Sequence, residues 1–340
     1  MKRFRAGIVG ATGYTGIELL RIIERHPSLE LSSVVGSSWA GKPLTSAWPG
    51  LSGMLDGVLV ERLDPSVLID TCDVVFLALP HGVSAELVPA LVTAGVRIID
   101  LGADFRLKDP AVYERFYGSH PAPEWLDKAI YGLTEWNRAQ LPGATLVANP
   151  GCYPTATALA AKPLVDAGWS GELLVATCLS GVSGAGRKAS PRSLFCEVGE
   201  SAGPYGIAGS HRHGPEIEQT LGMAVSFTPH LVPMSRGMVA TVIAKPSRIP
   251  TSQELNECYE AAYRESPAVI LRGDTPATRD VRGSARAHVH VCLDRERGVI
   301  TAVCAIDNLL KGASSQAVQN FNVSVGLDEM MGLPLWPQPV

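Results

Sequence analysis

No stretch of this 340-residue chain approaches the ~18 consecutive apolar residues that a bilayer-spanning helix needs, although 46% of its residues are hydrophobic. Basic charge is not in excess either. The 29 Lys and Arg stand against 33 Asp and Glu, and the formal net charge of −4 excludes the electropositive footprint of a nucleic-acid binder. The seven cysteines are odd in number, widely spaced and without a CxxC pair, so neither a disulfide framework nor a zinc site is expected. The basic start, Met1-Lys2-Arg3-Phe4-Arg5, runs straight into a strand pattern, with neither the apolar core nor the small-residue cleavage site of a signal peptide. Internal repeats and low-complexity segments are also lacking. These absences predict a soluble cytoplasmic protein with reduced thiols and no membrane or nucleic-acid partner, long enough for two domains.

What is present begins with a strand pattern, Phe4 to Val9, followed at once by Gly10-Ala11-Thr12-Gly13-Tyr14-Thr15-Gly16 and the helix pattern Ile17, Leu19, Leu20, Ile22, Ile23. Glycines placed between a first strand and a first helix permit a tight turn and let backbone N–H groups approach a pyrophosphate at the helix N-terminus. Gly10, Thr12, Gly13, Tyr14, Thr15 and Gly16 are the expected cofactor contacts. The second strand, Leu29 to Val35, ends in Gly36-Ser37-Ser38, where an NAD-preferring site usually carries an acid for the ribose 2′-hydroxyl. Here Ser37, Ser38 and Lys42 stand instead, and they suit the 2′-phosphate of NADP. The alternative for Lys42 is a solvated loop charge.

Further strand patterns at Asp73 to Leu79 and Arg97 to Asp100 flank a helix pattern from Val83 to Ala94, as a parallel sheet covered on both faces requires. Pro80, at the carboxyl end of a strand, is expected to border the cofactor. Arg106, in Asp100-Leu101-Gly102-Ala103-Asp104-Phe105-Arg106, is a candidate clamp for an anionic substrate or an ion-pair partner of Asp104 or Asp109. Residues 110 to 141 read as an irregular excursion.

The segment Asn149-Pro150-Gly151-Cys152-Tyr153-Pro154-Thr155 joins a strand pattern ending at Ala148 to a helix pattern. That places Cys152 where free N–H groups and the helix dipole favour a thiolate. A small buried hydrophobe is the alternative. Downstream, Leu173 to Ser180, Val239 to Ala244, Ala287 to Asp294 and Val299 to Ile306 read as strands. Strands with few helices between them suggest a mostly antiparallel sheet. His213 and Glu216 sit three apart at the start of a helix, where a carboxylate would orient an imidazole. Alternatively Glu216 complements the dipole and both His211 and His213 face water. His288, His290 and Cys292 alternate along one strand. Without a visible fourth ligand they read as a sheet face, and no metal is expected.

The fold class is thus α/β: a Rossmann-type doubly wound parallel sheet domain plus an α+β catalytic domain with a mostly antiparallel sheet. Residues 1–148 with 312–340 are assigned to the first domain and 149–311 to the second, which also serves oligomerisation.

With these motifs in view, the chain resembles the N-acetyl-γ-glutamyl-phosphate reductases, NADPH-dependent enzymes of arginine biosynthesis related in fold to aspartate-semialdehyde dehydrogenase. The likeness runs through GATGYTG from Gly10, ALPHG from Ala78, DLGADFRL from Asp100, NPGCYPT from Asn149, SGVSGAGR from Ser180, HRHGPEI from His211, TPHLVPMSRG from Thr228 and DNLLKGASSQAVQN from Asp307. The resemblance implies Cys152 as nucleophile, His213 as general acid/base and Glu216 as its orienting partner. It adds Ser183, Gly184 and Asn308 to the cofactor contacts. It also implies a small acyl-phosphate substrate whose phosphate and carboxylate need cations, with Arg106, Arg187, Arg192 and Arg236 as candidates, and Asn149 as a further substrate-binding residue. A homodimer or homotetramer is implied too. Competing readings are a reductase of aminoadipyl or aspartyl phosphate and a non-catalytic NADP-sensing module.

Overall fold

The computed structural model describes residues 2–338, the side chain of Arg192 excepted. It forms two compact units, residues 2–150 with Ala313–Leu333 and Gly151–Gly312 with residues 334–338. The expected assignment of everything after 312 to the first domain therefore needs correction at the tail. From Pro334 the chain belongs to the second unit, where Pro334 O accepts from the Ala285 N–H and the Gln338 N–H donates to Arg282 O, both at 2.7 Å.

Six strands build the first unit: β1 (Phe4–Val9), β2 (Leu29–Val35), β3 (Val74–Leu77), β4 (Arg97–Asp100), β5 (Ile130–Tyr131) and β6 (Leu146–Ala148). Their order is β2-β1-β3-β4-β6-β5 and every pairing is parallel. Val74–Leu77 is buried at all four positions, as a strand covered on both faces must be. The terminal helix Ser315–Ser324 buries Phe321 in this core, its ring 5.3 Å from Phe4 and 6.2 Å from Phe76. Residues 110 to 141 are less irregular than expected. Asp109 accepts from the Ala111 N–H and caps a helix Pro110–Tyr117, and Ile130–Tyr131 supplies the edge strand.

The second unit carries β7 (Leu174–Gly181), β8 (Gly203–Pro204), β9 (Val225–Val232), β10 (Met238–Ala244), β11 (Val269–Leu271), β12 (Ala287–Asp294) and β13 (Val299–Ile306). The order is β11-β12-β13-β10-β7-β9-β8, with β7–β9 and β11–β12 parallel and the rest antiparallel. The helix Cys152–Asp166 packs on β10, β12 and β13. Its run of Ala156, Ala158, Ala160 and Ala161 is buried, and such small side chains allow a close approach of helix to sheet. Helix Ser252–Tyr263 starts at a capping box of Thr251 and Glu254. It packs against this buried helix, where the Tyr259 hydroxyl donates to Ala160 O at 2.5 Å.

At the end of β4, Asp100 is fully buried. Its Oδ1 accepts from Ser84 Oγ at 2.8 Å and the Gly102 N–H at 3.0 Å, while Oδ2 has no hydrogen-bond partner among the described residues. Burial, and next the Asp104 carboxylate, push its carboxyl up to about 7. The folded state thus keeps a proton that the unfolded chain releases near its ordinary pKa of ~4. Stability should fall as pH rises from about 4 to about 7 and level off above. Urea midpoints measured between pH 5 and 8 should show this slope in the wild type and a flatter one in Asp100→Asn.

Candidate active site

Cys152 is the first residue of its helix. Gly151, in extended conformation, is the N-cap and has no side chain of its own to bond the free N–H groups of the first turn. The helix begins here because Pro154 fits the first turn, where a missing N–H costs little, and because Thr155 Oγ1 and N both bond Gly151 O at 2.9 Å. The thiol is half-buried. From the opposite side comes the π-helical turn Leu310–Ser314, in which a Cβ at Gly312 would lie 2.8 Å from Cys152 Cβ. Only glycine fits there.

His213 is the N-cap of the helix Gly214–Leu221, its carbonyl accepting from the Ile217 N–H at 3.0 Å. Its ring lies 5.8 Å from that of Tyr153, the residue after Cys152. Glu216, three residues on and buried, reaches the nucleophile's turn: Oε1 accepts the Gly151 N–H at 2.8 Å. His211 plays a different part from His213. Burial, helped by Arg212, lowers it to about 4, so it is neutral at physiological pH, and Nδ1 accepts the His213 N–H at 3.0 Å. A ring so committed carries a proton poorly, and the choice of His213 over His211 gains from it.

Sequence reasoning missed the phenol pair beside this turn. The hydroxyls of Tyr153 and Tyr205 are 2.9 Å apart, and Tyr153 also donates to His230 O at 3.2 Å. Burial raises the Tyr153 phenol and pushes Tyr205 up to about 12, so both stay protonated. Asp307 was also missed. It is fully buried and accepts from the Gly283 N–H at 2.7 Å, the Leu309 N–H at 2.9 Å and Arg236 Nη2 at 3.1 Å. It thereby joins Arg236 to the turn that carries Gly312. An aspartate three residues before a glycine-containing turn is a faint signal; the arginine it holds is 71 positions away.

Asn308 is nearly buried, and its amide is engaged within the fold: Oδ1 accepts the Gly237 N–H at 2.8 Å and Nδ2 donates to Ser183 Oγ at 3.0 Å. These bonds join it to the Ser183–Gly184 loop. Arg187 is exposed next to that loop. Arg192 lies in the short turn Pro191–Ser193, and its side chain is outside the described residues.

In the first unit the glycine turn has the form expected for a phosphate cradle. Gly10 has a φ of +92°, and a Cβ there would meet Ala78 O at 2.2 Å. A Cβ on Gly16 would meet Gly10 O at 2.4 Å, so this glycine lets helix Tyr14–Ile23 close onto the turn. Gly13 is the N-cap and no side chain caps the helix, which leaves its positive end to a ligand. Thr12, Tyr14 and Thr15 are half-buried around it. Ser37, Ser38 and Lys42 are exposed beyond β2, Lys42 Nζ lying 5.4 Å from the Trp39 ring centre, and Pro80 is exposed beyond β3. This donor set, with no acid from Gly36 to Lys42, fits a 2′-phosphate.

Two substrate candidates of this unit are engaged within the fold. Arg106 is buried and donates from Nε to Asn149 O at 2.8 Å and from Nη2 to Leu101 O at 2.7 Å. Asp104 caps helix Val83–Thr93 through the Gly82 and Ala85 N–H groups at 2.7 and 3.0 Å. Asn149 is fully buried, with Oδ1 accepting from Asn320 at 3.1 Å and Nδ2 donating to Ala313 O at 3.2 Å. A side chain so enclosed holds the end of β6 and has no amide group turned to solvent.

The comparisons with known proteins agree with this layout. A family model described as semialdehyde dehydrogenase, NAD binding domain, matches residues 5–144, and one described as semialdehyde dehydrogenase, dimerisation domain, matches 152–308. Among solved structures, aspartate semialdehyde dehydrogenase II of Vibrio cholerae complexed with ASA superposes with a TM-score of 0.71 at 18% identity, over 95% of this chain and 98% of that one. The aspartate semialdehyde dehydrogenase with NADP from Candida albicans gives 0.67 at 18% identity, over 94% and 98%. These distant likenesses establish the fold. N-acetyl-gamma-glutamyl-phosphate reductase of Halorhodospira halophila is 50% identical over 96% of this chain and 97% of its own length. Its namesake in Dehalococcoides mccartyi is 45% identical over 98% of each. At such identity over nearly the whole length, the chain belongs to the N-acetyl-γ-glutamyl-phosphate reductase family.

Proposed function

We propose that the protein reduces N-acetyl-γ-glutamyl phosphate to N-acetylglutamate semialdehyde and phosphate with NADPH, in arginine biosynthesis, through a thioester on Cys152. The observation that carries this reading is a half-buried thiol at a helix start, tied through Gly151 and Glu216 to the helix that presents His213. The helix dipole favours the thiolate, and His213 takes the thiol proton. The sulfur attacks the acyl carbon, the carbon–oxygen bond to phosphate breaks, and a thioester remains. When bound, NADPH supplies hydride to the thioester carbonyl. The carbon–sulfur bond then breaks to release the aldehyde, and His213 returns its proton to the sulfur. Backbone N–H groups of the first helical turn hold the oxyanion, but that of Gly151 is engaged by Glu216 and is not one of them. Arg236, steered by Asp307, and exposed Arg187 serve the anionic groups of the substrate.

Cofactor contacts in this reading come from the Gly10 turn, with Ser37, Ser38 and Lys42 on the 2′-phosphate. The cytoplasm is the proposed location. All seven cysteines are free, and no helix among the described residues is long and apolar enough to cross a membrane.

The active form in this reading is a homodimer, or a homotetramer built from it, joined through the sheet face opposite helix Cys152–Asp166. On the three central strands Val175, Thr177, Thr241, Ile243, Thr301 and Val303 pair across that face in register, and none is charged. Val175 and Ile243 are 39% and 42% exposed. A solvated face would normally carry Lys or Glu at such positions. The second copy is favoured because this region lies within the match described as a dimerisation domain.

Cys152→Ser should lower NADPH-dependent turnover of N-acetyl-γ-glutamyl phosphate at least ~10³-fold while leaving the NADPH dissociation constant nearly unchanged. Turnover kept within tenfold would defeat the thioester route. A wild-type enzyme faster on aspartyl phosphate would move the substrate assignment. Thr241→Lys, a charge at the centre of the open face, should shift sedimentation from dimer to monomer; an unaltered dimer would place the interface elsewhere.

A further inference from the structure

We infer that Glu216 is a positioning residue for Cys152, fixing the turn before it and holding back formation of its thiolate in the resting enzyme. The inference rests on Cys152 being the nucleophile, as proposed above. At the third position of its helix a glutamate usually turns back to its own N-cap, as Glu254 does to the Thr251 N–H at 2.6 Å. Glu216 instead accepts the Gly151 N–H at 2.8 Å, the N-cap amide of the other helix, 65 residues away in sequence. The side chain is 1% exposed, so its charge is little screened.

Two consequences follow for the sulfur. The carboxylate occupies the positive end of the Cys152–Asp166 helix and competes with a thiolate for the same dipole. An anion beside that position disfavours a second one. At the same time the bond fixes Gly151, and with it the direction in which Cys152 leaves the turn. His213 is three residues away on the same helix, so one short segment sets both the nucleophile's geometry and the base that must deprotonate it. The arrangement keeps the thiol protonated until His213 acts.

Iodoacetamide alkylation of Cys152, followed by peptide mass spectrometry across pH 5.5 to 9.5 without substrate, tests this. Glu216→Gln retains an oxygen for the Gly151 N–H but removes the charge, so its alkylation midpoint should move about one pH unit lower. Glu216→Asp retains the charge with a shorter reach; its midpoint should stay near wild type while kcat falls. A purely structural role would leave the Gln midpoint unmoved, and that result overturns the inference. Should Glu216→Gln fail to fold, an Asp midpoint displaced as far down as one unit overturns it equally. Turnover kept within tenfold in Cys152→Ser would show instead that the nucleophile reading itself fails, and the inference with it.

Discussion

Burial of the helix Cys152–Asp166 is the constraint on which the second unit depends. Eleven of its fifteen residues are buried, and alanine at four of them brings the backbone close to the sheet. A helix held along its length has a first residue held as well. Its start is then finished from outside, by a glutamate on the Gly151 amide and by a glycine whose missing side chain makes room for the Cys152 Cβ. The thiol's position thus follows from core packing, the best-determined part of a protein.

In the mechanism proposed above, few of the polar groups near Cys152 compete with His213 for a proton. His211 is kept neutral, and the two phenols are kept protonated. Asp307 is satisfied by backbone N–H groups and Arg236, which removes the cost of burying a lone carboxylate. The same aspartate constrains an arginine and the Gly312 turn together, so loosening one would loosen the other.

Much of this was legible in the chain. The glycine turn, strands β1, β2 and β4 and the starts of both site helices were marked by local signals: glycines at a strand end, alternating or continuous apolar runs, and a proline in a first turn. β9 escaped notice because Pro229 interrupts it, and a proline normally argues against an interior strand. β11 is only three residues long, too short for any period. Arg106 was legible as a candidate anion clamp from its place near a strand end, and Asn149 only through the family resemblance. Their carbonyl and amide partners are tertiary and leave no local trace. Glu216 shows the same limit. Its spacing pointed to His213, while the bond to Gly151 arises only once two distant helices meet.

The uncharged positions on the three central strands of the seven-stranded sheet bear on how a dimer would form. A protomer alone would present Val175 and Ile243 to water, and covering them contributes roughly 25 cal/mol per Å² of apolar surface. In the dimer proposed above, folding and assembly are linked by mass action, and the melting temperature becomes a function of protein concentration. Dilution would act on such a dimer as a mild denaturant.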